Sequence, residues 1–152
     1  MNPVLTIEEA LEMRAGKKLV FTNGVFDVFH AGHVSYLKTA REMGDMLIVG
    51  LNSDDSVRRL GKGDDRPIHC LEDRALVVSS LRFVEGVVTF EETDPCNIIS
   101  VLKPEIHVKG GDYLSSDLPE AMIIHSYGGE VVIVPLLPGR STTEIAKRIR
   151  CE

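Results

Sequence analysis

Lys18–Thr22 is a short apolar run that breaks at Asn23-Gly24 and passes through Val25-Phe26-Asp27-Val28-Phe29 into His30-Ala31-Gly32-His33. From Ala31 the pattern changes. Val34, Leu37, Ala40 and Met43 recur at helical spacing as far as Gly44, a glycine suited to a C-cap. A buried strand, a polar loop and a helix therefore follow one another within 27 residues, Lys18 to Gly44. That is the opening half of a strand–helix–strand unit, whose parallel strands need helical crossovers.

The rest of the chain repeats the alternation. Strand-like runs are predicted at Met46–Asn52, Val84–Phe90, Ile106–Lys109 and Glu130–Pro135. Helices are predicted at Asp55–Leu60, capped by Ser53 or Asp54, and at Leu71–Phe83, opened by acidic Glu72 and Asp73. Three more are expected: Pro95–Leu102 with Asp94 as cap, Asp117–Tyr127, and Ser141–Arg150. A short first helix capped by Thr6 precedes the first strand. The expected fold is α/β, a Rossmann-like, doubly wound five-stranded parallel sheet with helices on both faces. Ligands of such sheets sit beyond the carboxyl ends of the strands.

Composition bounds the function. The 152 residues suit a single domain, 1–152, and 43% hydrophobic against 26% charged residues supports a packed core. A net charge of -6 excludes a nucleic-acid binder that relies on a general positive field. No apolar run reaches the ~18–20 residues of a membrane span, and the acidic, amphipathic start is unlike a signal peptide. A cytoplasmic location with no membrane partner is expected. Cys70, Cys96 and Cys151 are far apart and lack metal or redox spacing, so they are expected to be reduced thiols.

The loop after the first strand carries the strongest chemical signal. His30 and His33, three residues apart at a helix start, can point the same way, and Gly32 permits close approach of a ligand to the backbone. Two imidazoles there can donate to phosphate oxygens and offset charge developing during nucleotidyl transfer; the plainer alternative is that they only cap the helix. Zinc has no suitably spaced further ligand, since His69, His107 and His125 are scattered and suit surface or packing roles. Neither a Walker-type loop nor G-x-G-x-x-G follows the first strand.

A second phosphate site is expected at Pro138-Gly139-Arg140-Ser141-Thr142-Thr143-Glu144, where Ser141 and Glu144 have capping-box spacing. An ordinary N-cap is the alternative. Asn52-Ser53-Asp54 forms a polar strand tip that either caps a helix or meets a substrate hydroxyl. Lys62, Arg66 and Arg74, in and after the glycine-rich Gly61–Pro67 loop, either form a solvated face or close over phosphates as a lid. Lys109 and Asp112, around Gly110-Gly111, are within plausible reach of a nucleotide, the alternative being a plain turn.

Taken together, N-G-x-F-D-x-x-H-x-G-H, R-P-I-x-x-x-E-D-R, K-G-G-D-Y and G-R-S-T-T resemble the H-x-G-H nucleotidyltransferase superfamily. Within it, the set is most similar to the heptose 1-phosphate adenylyltransferases of bacterial ADP-heptose synthesis, over about Leu19 to Ile149. The resemblance implies that a sugar 1-phosphate attacks the α-phosphate of ATP and releases pyrophosphate, with Mg²⁺ accompanying ATP. His30, His33 and Arg140 are then the expected catalytic residues. Asn23, Gly24, Val25, Phe26, Gly32, Lys109, Asp112, Ser141, Thr142 and Thr143 are expected to bind nucleotide. Asp27, Asn52, Asp54, Lys62, Arg66 and Arg74 are expected to bind the second substrate. Val25 departs from the Cys common in the family, a change expected to affect packing more than chemistry. A homodimer and a separate sugar kinase are further expectations. A cytidylyltransferase of a small alcohol phosphate such as glycerol 3-phosphate, and an FAD synthetase-like adenylyltransferase, are the alternatives.

Overall fold

A computed structural model describes residues 4–151. Five strands, β1 (Leu19–Gly24), β2 (Met46–Asn52), β3 (Gly86–Phe90), β4 (Ile106–Gly110) and β5 (Glu130–Val134), form one sheet in the order β3-β2-β1-β4-β5. All four pairings are parallel. From β1 the chain runs outward through β2 and β3, then returns to place β4 on the other flank of β1. This reversal opens a crevice at the carboxyl ends of β1 and β4, where ligands of such sheets bind.

The described residues also form α1 (Ile7–Arg14) before the first strand, α2 (Ala31–Arg41), α3 (Asp54–Arg59), α4 (Leu71–Ser79), α5 (Cys96–Leu102) and α6 (Ala121–Ser126) between strands, and α7 (Thr142–Arg150) after the last. Strand side chains alternate between faces. Val20, Leu47, Val49 and Val108 pack against Leu37 and Ala40 of α2 and Ala75 and Val78 of α4. Leu19, Phe21, Met46, Ile48 and Val88 pack on the opposite face against α1, α5 and α6. Every residue of β2 is buried, which is why its sequence is a continuous apolar run ending in Asn52. Each fully buried aliphatic side chain contributes about 1.5–3 kcal/mol, so the two aliphatic layers carry the fold without tryptophan.

Several boundaries differ from the sequence expectation. Helix α2 ends at Arg41, with Glu42 as its cap, and Gly44 is not a left-handed C-cap. Gly44 instead allows close packing: a Cβ there would lie 2.7 Å from the Lys18 carbonyl oxygen and from Val20 Cγ2. Helix α4 stops at Ser79, where the Ser79 and Ser80 hydroxyls both donate to the Leu76 carbonyl. Strand β3 starts at Gly86 rather than Val84. Pro95 is the N-cap of α5, while the Asp94 carboxylate accepts from Cys96 N–H at 2.9 Å. The expected helix Asp117–Tyr127 is split into a 3₁₀ turn, Ser115–Asp117, and α6. Pro119 forces this break, since the residue before a proline is driven extended, and Leu118 has φ -87°, ψ 125°.

Candidate active site

The loop between β1 and α2 is held in an unusual backbone conformation. Phe26 and Val28 both have positive φ, 51° and 46°, a region unfavourable to bulky and β-branched residues. Such conformations persist where the surroundings over-determine them, and they concentrate at functional sites. Here the Phe26 ring is gripped by His33, Tyr36 and Phe29, with centroids 5.2, 6.5 and 6.5 Å away. Tyr36 is fixed in turn, since its hydroxyl lies 2.6 Å from Thr22 Oγ1 and donates to the Val108 carbonyl at 2.9 Å.

His30 is the N-cap of α2. Its Nδ1 accepts from Gly32 N–H at 3.1 Å, and His33 Nδ1 accepts from His30 N–H at 3.3 Å. A backbone N–H can only donate, so both Nδ1 atoms are unprotonated acceptors and each neutral ring carries its proton on Nε2. The rings stack with centroids 3.8 Å apart and planes 25° from parallel. Burial holds the His30 pKa below the ordinary value. For His33, burial and then the neighbouring His30 push it down to about 4, against a smaller opposing pull from Asp27. The helix start thus presents two neutral Nε2–H donors. Capping and ligand binding are not alternatives here: the Nδ1 atoms cap, and the Nε2–H groups stay available.

Helix α7 brings the second expected phosphate segment to the same place. Ser141 is its N-cap and accepts from Glu144 N–H at 3.0 Å; among the described residues Glu144 makes no reciprocal bond, so the capping box is half formed. Thr142 Oγ1 donates to the Asp27 carbonyl at 2.7 Å, tying α7 to the His loop. Arg140 is exposed, and its Cβ lies 3.3 Å from where a Cβ on Gly32 would sit. That same Cβ would lie 2.8 Å from His30 Cε1, so Gly32 is the residue that lets the imidazole fold over the helix start.

Between these helix starts lies a cavity of about 520 Å³, lined by Gly24, Val25, Phe26, Asp27, His33, Val57, Lys62, Arg66, Thr142 and Thr143. Desolvation and then the charges of Lys109 on β4 and Arg66 on the same loop hold the Lys62 pKa below the usual lysine range. The Lys109 ammonium lies 6.0 Å from the centre of the Tyr113 ring. Asp112 is exposed on the β4 side of the crevice, and Asn23 Oδ1 is buried without a hydrogen-bond partner. None of the three cysteines lines this cavity, and all are free thiols.

Four polar residues expected to bind the second substrate have other work. Arg74 is only 2% exposed, and its guanidinium donates to the carbonyls of His69, Val25 and Asn52 and to Asp54 Oδ1 at 2.7–3.1 Å. It is a brace under the loops rather than part of a solvated face or a lid. The sequence carries a hint, since Arg74 shares a helical face with buried Val78. Asp54 is engaged by Arg74, and Asn52 is buried with its amide donating to Ser56 Oγ at 2.9 Å. The Asp27 carboxylate is 3% exposed and accepts from the Ile68 and His69 N–H groups.

Two further features were not legible. Val57 supplies an apolar wall to the cavity from α3, but nothing in its local pattern sets it apart from a core residue. His107, expected at the surface or in packing, is fully buried on β4, stacked on Phe21 and bonded through Nε2 to buried Glu120 at 3.1 Å.

Comparison with known proteins agrees with this geometry. The cytidylyltransferase-like family profile matches residues 21–148. The chain is 47% identical over 137 residues to D-beta-D-heptose 1-phosphate adenylyltransferase of Bordetella bronchiseptica, covering 90% of this chain and 85% of that protein. It is 51% identical over 150 residues to bifunctional protein HldE of Campylobacter concisus, covering 99% of this chain and 31% of that protein. The chain thus spans about a third of the length of the bifunctional relatives it matches. Among solved structures, the lipopolysaccharide core biosynthesis protein of Thermoplasma volcanium superposes with a TM-score of 0.65 at 32% identity, over 80% of this chain and 98% of that one. Pantothenate synthetase of Thermus thermophilus, TM-score 0.62 at 17% identity over 88% of this chain and 61% of that one, shares the fold.

Proposed function

The chain belongs to the cytidylyltransferase-like family, and from that premise we propose that it transfers AMP from ATP to heptose 1-phosphate, yielding ADP-heptose and pyrophosphate. An oxygen of the sugar phosphate attacks the α-phosphorus. The bond from that phosphorus to the oxygen bridging the β-phosphate breaks, and pyrophosphate leaves. The nucleophile is already anionic near neutral pH, so no general base is required. Catalysis is then mainly alignment and stabilisation of developing charge.

The observation that carries this reading is the stacked His pair, whose Nδ1 atoms are both occupied by backbone donors. Their Nε2–H groups are pre-set to donate to oxygens of the reacting phosphates, beside the positive N-terminal end of α2. Arg140, Ser141, Thr142 and Thr143 face them from the start of α7 and serve the phosphate chain. Lys62 and Arg66 suit the phosphate of the incoming sugar, while Lys109, Asp112, Asn23 and Gly24 suit the nucleotide. Together these groups explain how a chain of net charge -6 accommodates two anionic substrates.

Magnesium finds no protein cage. Among the described residues no group of three or more His, Cys, Asp or Glu side chains is placed to hold an ion. The Asp27 carboxylate accepts from the Ile68 and His69 N–H groups, and Asp54 Oδ1 accepts from Arg74. We place Mg²⁺ on the triphosphate, where phosphate oxygens and water coordinate it. No described helix is long and apolar enough to cross a membrane. A separate sugar kinase is the proposed source of the sugar 1-phosphate.

A substrate panel tests the assignment. Pyrophosphate release is measured with ATP or CTP against heptose 1-phosphates, glycerol 3-phosphate and FMN. Release with ATP and a heptose 1-phosphate is expected. Preferential turnover of CTP with glycerol 3-phosphate, or of ATP with FMN, overturns it.

A further inference from the structure

The structure assigns Asp27 a role that the proposed reaction does not yet include: it is a positioning residue that couples the His30/His33 loop to the segment carrying Lys62 and Arg66 and to the start of α7. The inference rests on the proposed function only for its activity readouts.

Asp27 sits between the two strained residues, Phe26 and Val28. Its Oδ2 accepts from Ile68 N–H at 2.7 Å and lies 3.5 Å from Arg66 Nη1; its Oδ1 accepts from His69 N–H at 2.9 Å and Val28 N–H at 3.1 Å. Its carbonyl accepts from Thr142. One nearly buried residue therefore joins three chain segments that line the same cavity. Ile68 and His69 are themselves exposed, so their segment has little apolar packing of its own to hold it. The carboxylate supplies what packing does not, because a buried anion accepting several N–H bonds is a strong and directional anchor.

The consequence for chemistry is alignment. His33 and Arg66 line the same cavity, and a misplacement of about 1 Å in a reacting group can cost about 10²-fold in rate. A carboxylate bonded to both segments fixes their separation. A saturated carboxylate, with every strong acceptor direction used, is also a poor ligand for a sugar hydroxyl. Direct substrate contact and anchoring thus make opposite demands on the same oxygens.

Amide hydrogen exchange on the substrate-free protein tests the anchor without reference to activity. In the wild-type chain the Ile68 and His69 amides should exchange at least about tenfold more slowly than those of Asp64 and Asp65. In Asp27→Asn that protection should fall about tenfold or more while the core strands stay protected, and tryptic cleavage after Lys62 should accelerate. The His30 and His33 ring resonances should shift as well, although neither ring bonds to Asp27. In the adenylyl-transfer assay, Asp27→Asn should lower kcat about 10²-fold, and Thr142→Val should lower it less. Unprotected Ile68 and His69 amides in the wild type overturn the proposal even if the variant fails to fold. Unchanged protection in Asp27→Asn, with a raised KM for the sugar phosphate and an intact kcat, overturns it in favour of direct contact. Absence of turnover with every substrate pair would refute the proposed reaction and leave the exchange result to decide the anchor.

Discussion

The hydroxyl of Thr142 donates to the backbone carbonyl of Asp27 at 2.7 Å, joining the last helix to the first loop across 115 residues of sequence. This single contact explains how two helix starts face one cavity. Removing it by Thr142→Val leaves the Asp27 carbonyl without its partner, at a cost of about 1–3 kcal/mol. The midpoint of urea unfolding should fall accordingly, and the start of α7 should lose amide protection. An unchanged midpoint would mean that α7 docks by other contacts.

His30→Ala and His33→Ala should each lower kcat by about 10²-fold or more, the scale of losing one preorganised donor to a developing oxyanion. Neither change should greatly alter nucleotide affinity. Steady-state kinetics with turnover within about tenfold of wild type for both variants would remove the His pair from the mechanism.

Gly32→Ala should resemble His30→Ala in activity but not in stability. The added methyl would meet the His30 ring at 2.8–2.9 Å, and that ring can swing away more easily than backbone can. A folded protein with a displaced His30 resonance and depressed kcat is the expected outcome. Wild-type activity would show that the ring tolerates the methyl in place.

Acid should weaken the fold through His33. Its pKa in the folded protein is about 4, against an ordinary value of 6.5. Between those values the unfolded chain takes up a proton at this position that the folded chain refuses. Stability therefore falls as pH drops from about 6.5 to about 4, and His33 adds no pH dependence above that window. His33→Gln should flatten this part of the profile, measured as unfolding free energy against pH. The same depressed pKa keeps the ring neutral at pH 7, so kcat should show no His33 titration between pH 6 and 8.

Arg74→Met should destabilise strongly, by about 3–5 kcal/mol, because it strips the carbonyls of Val25, Asn52 and His69 and the Asp54 carboxylate of their shared donor. Arg74→Lys should recover little, since one ammonium cannot reproduce a planar fork that meets four acceptors. Unfolding midpoints check this. A variant with normal stability but a raised KM would restore Arg74 to the substrate site.

The central strand, the helix after it and the H-x-G-H element were legible because each rests on local chemistry. Apolar periodicity marks the buried face, Gly32 and the two His mark a helix start, and Ser141 marks another. The protein partners of Arg74 and Asp27 are not legible in the sequence, because a charged residue beside a motif looks the same whether its partner is a ligand or a backbone group. His107 is a packing residue, one of the two roles expected, but its bond to Glu120 was not legible, since the two are 13 residues apart, on β4 and at the N-cap of α6. Pro119 was a readable signal that outweighed the helical pattern around it.

The sequence by itself determined the alternation of strands and helices, the aliphatic core and the two helix starts rich in donors. These follow from periodicity, capping and backbone sterics within a few residues. Only the tertiary structure decided which polar groups remain free. Burial drives charged and polar groups to find partners, and the partners of Asp27 lie 41 and 42 residues further on, while those of Arg74 lie up to 49 residues back. Those bonds engage the side chains of Asp27 and Arg74 within the fold, whereas Lys62 lines the cavity and Arg140 is exposed.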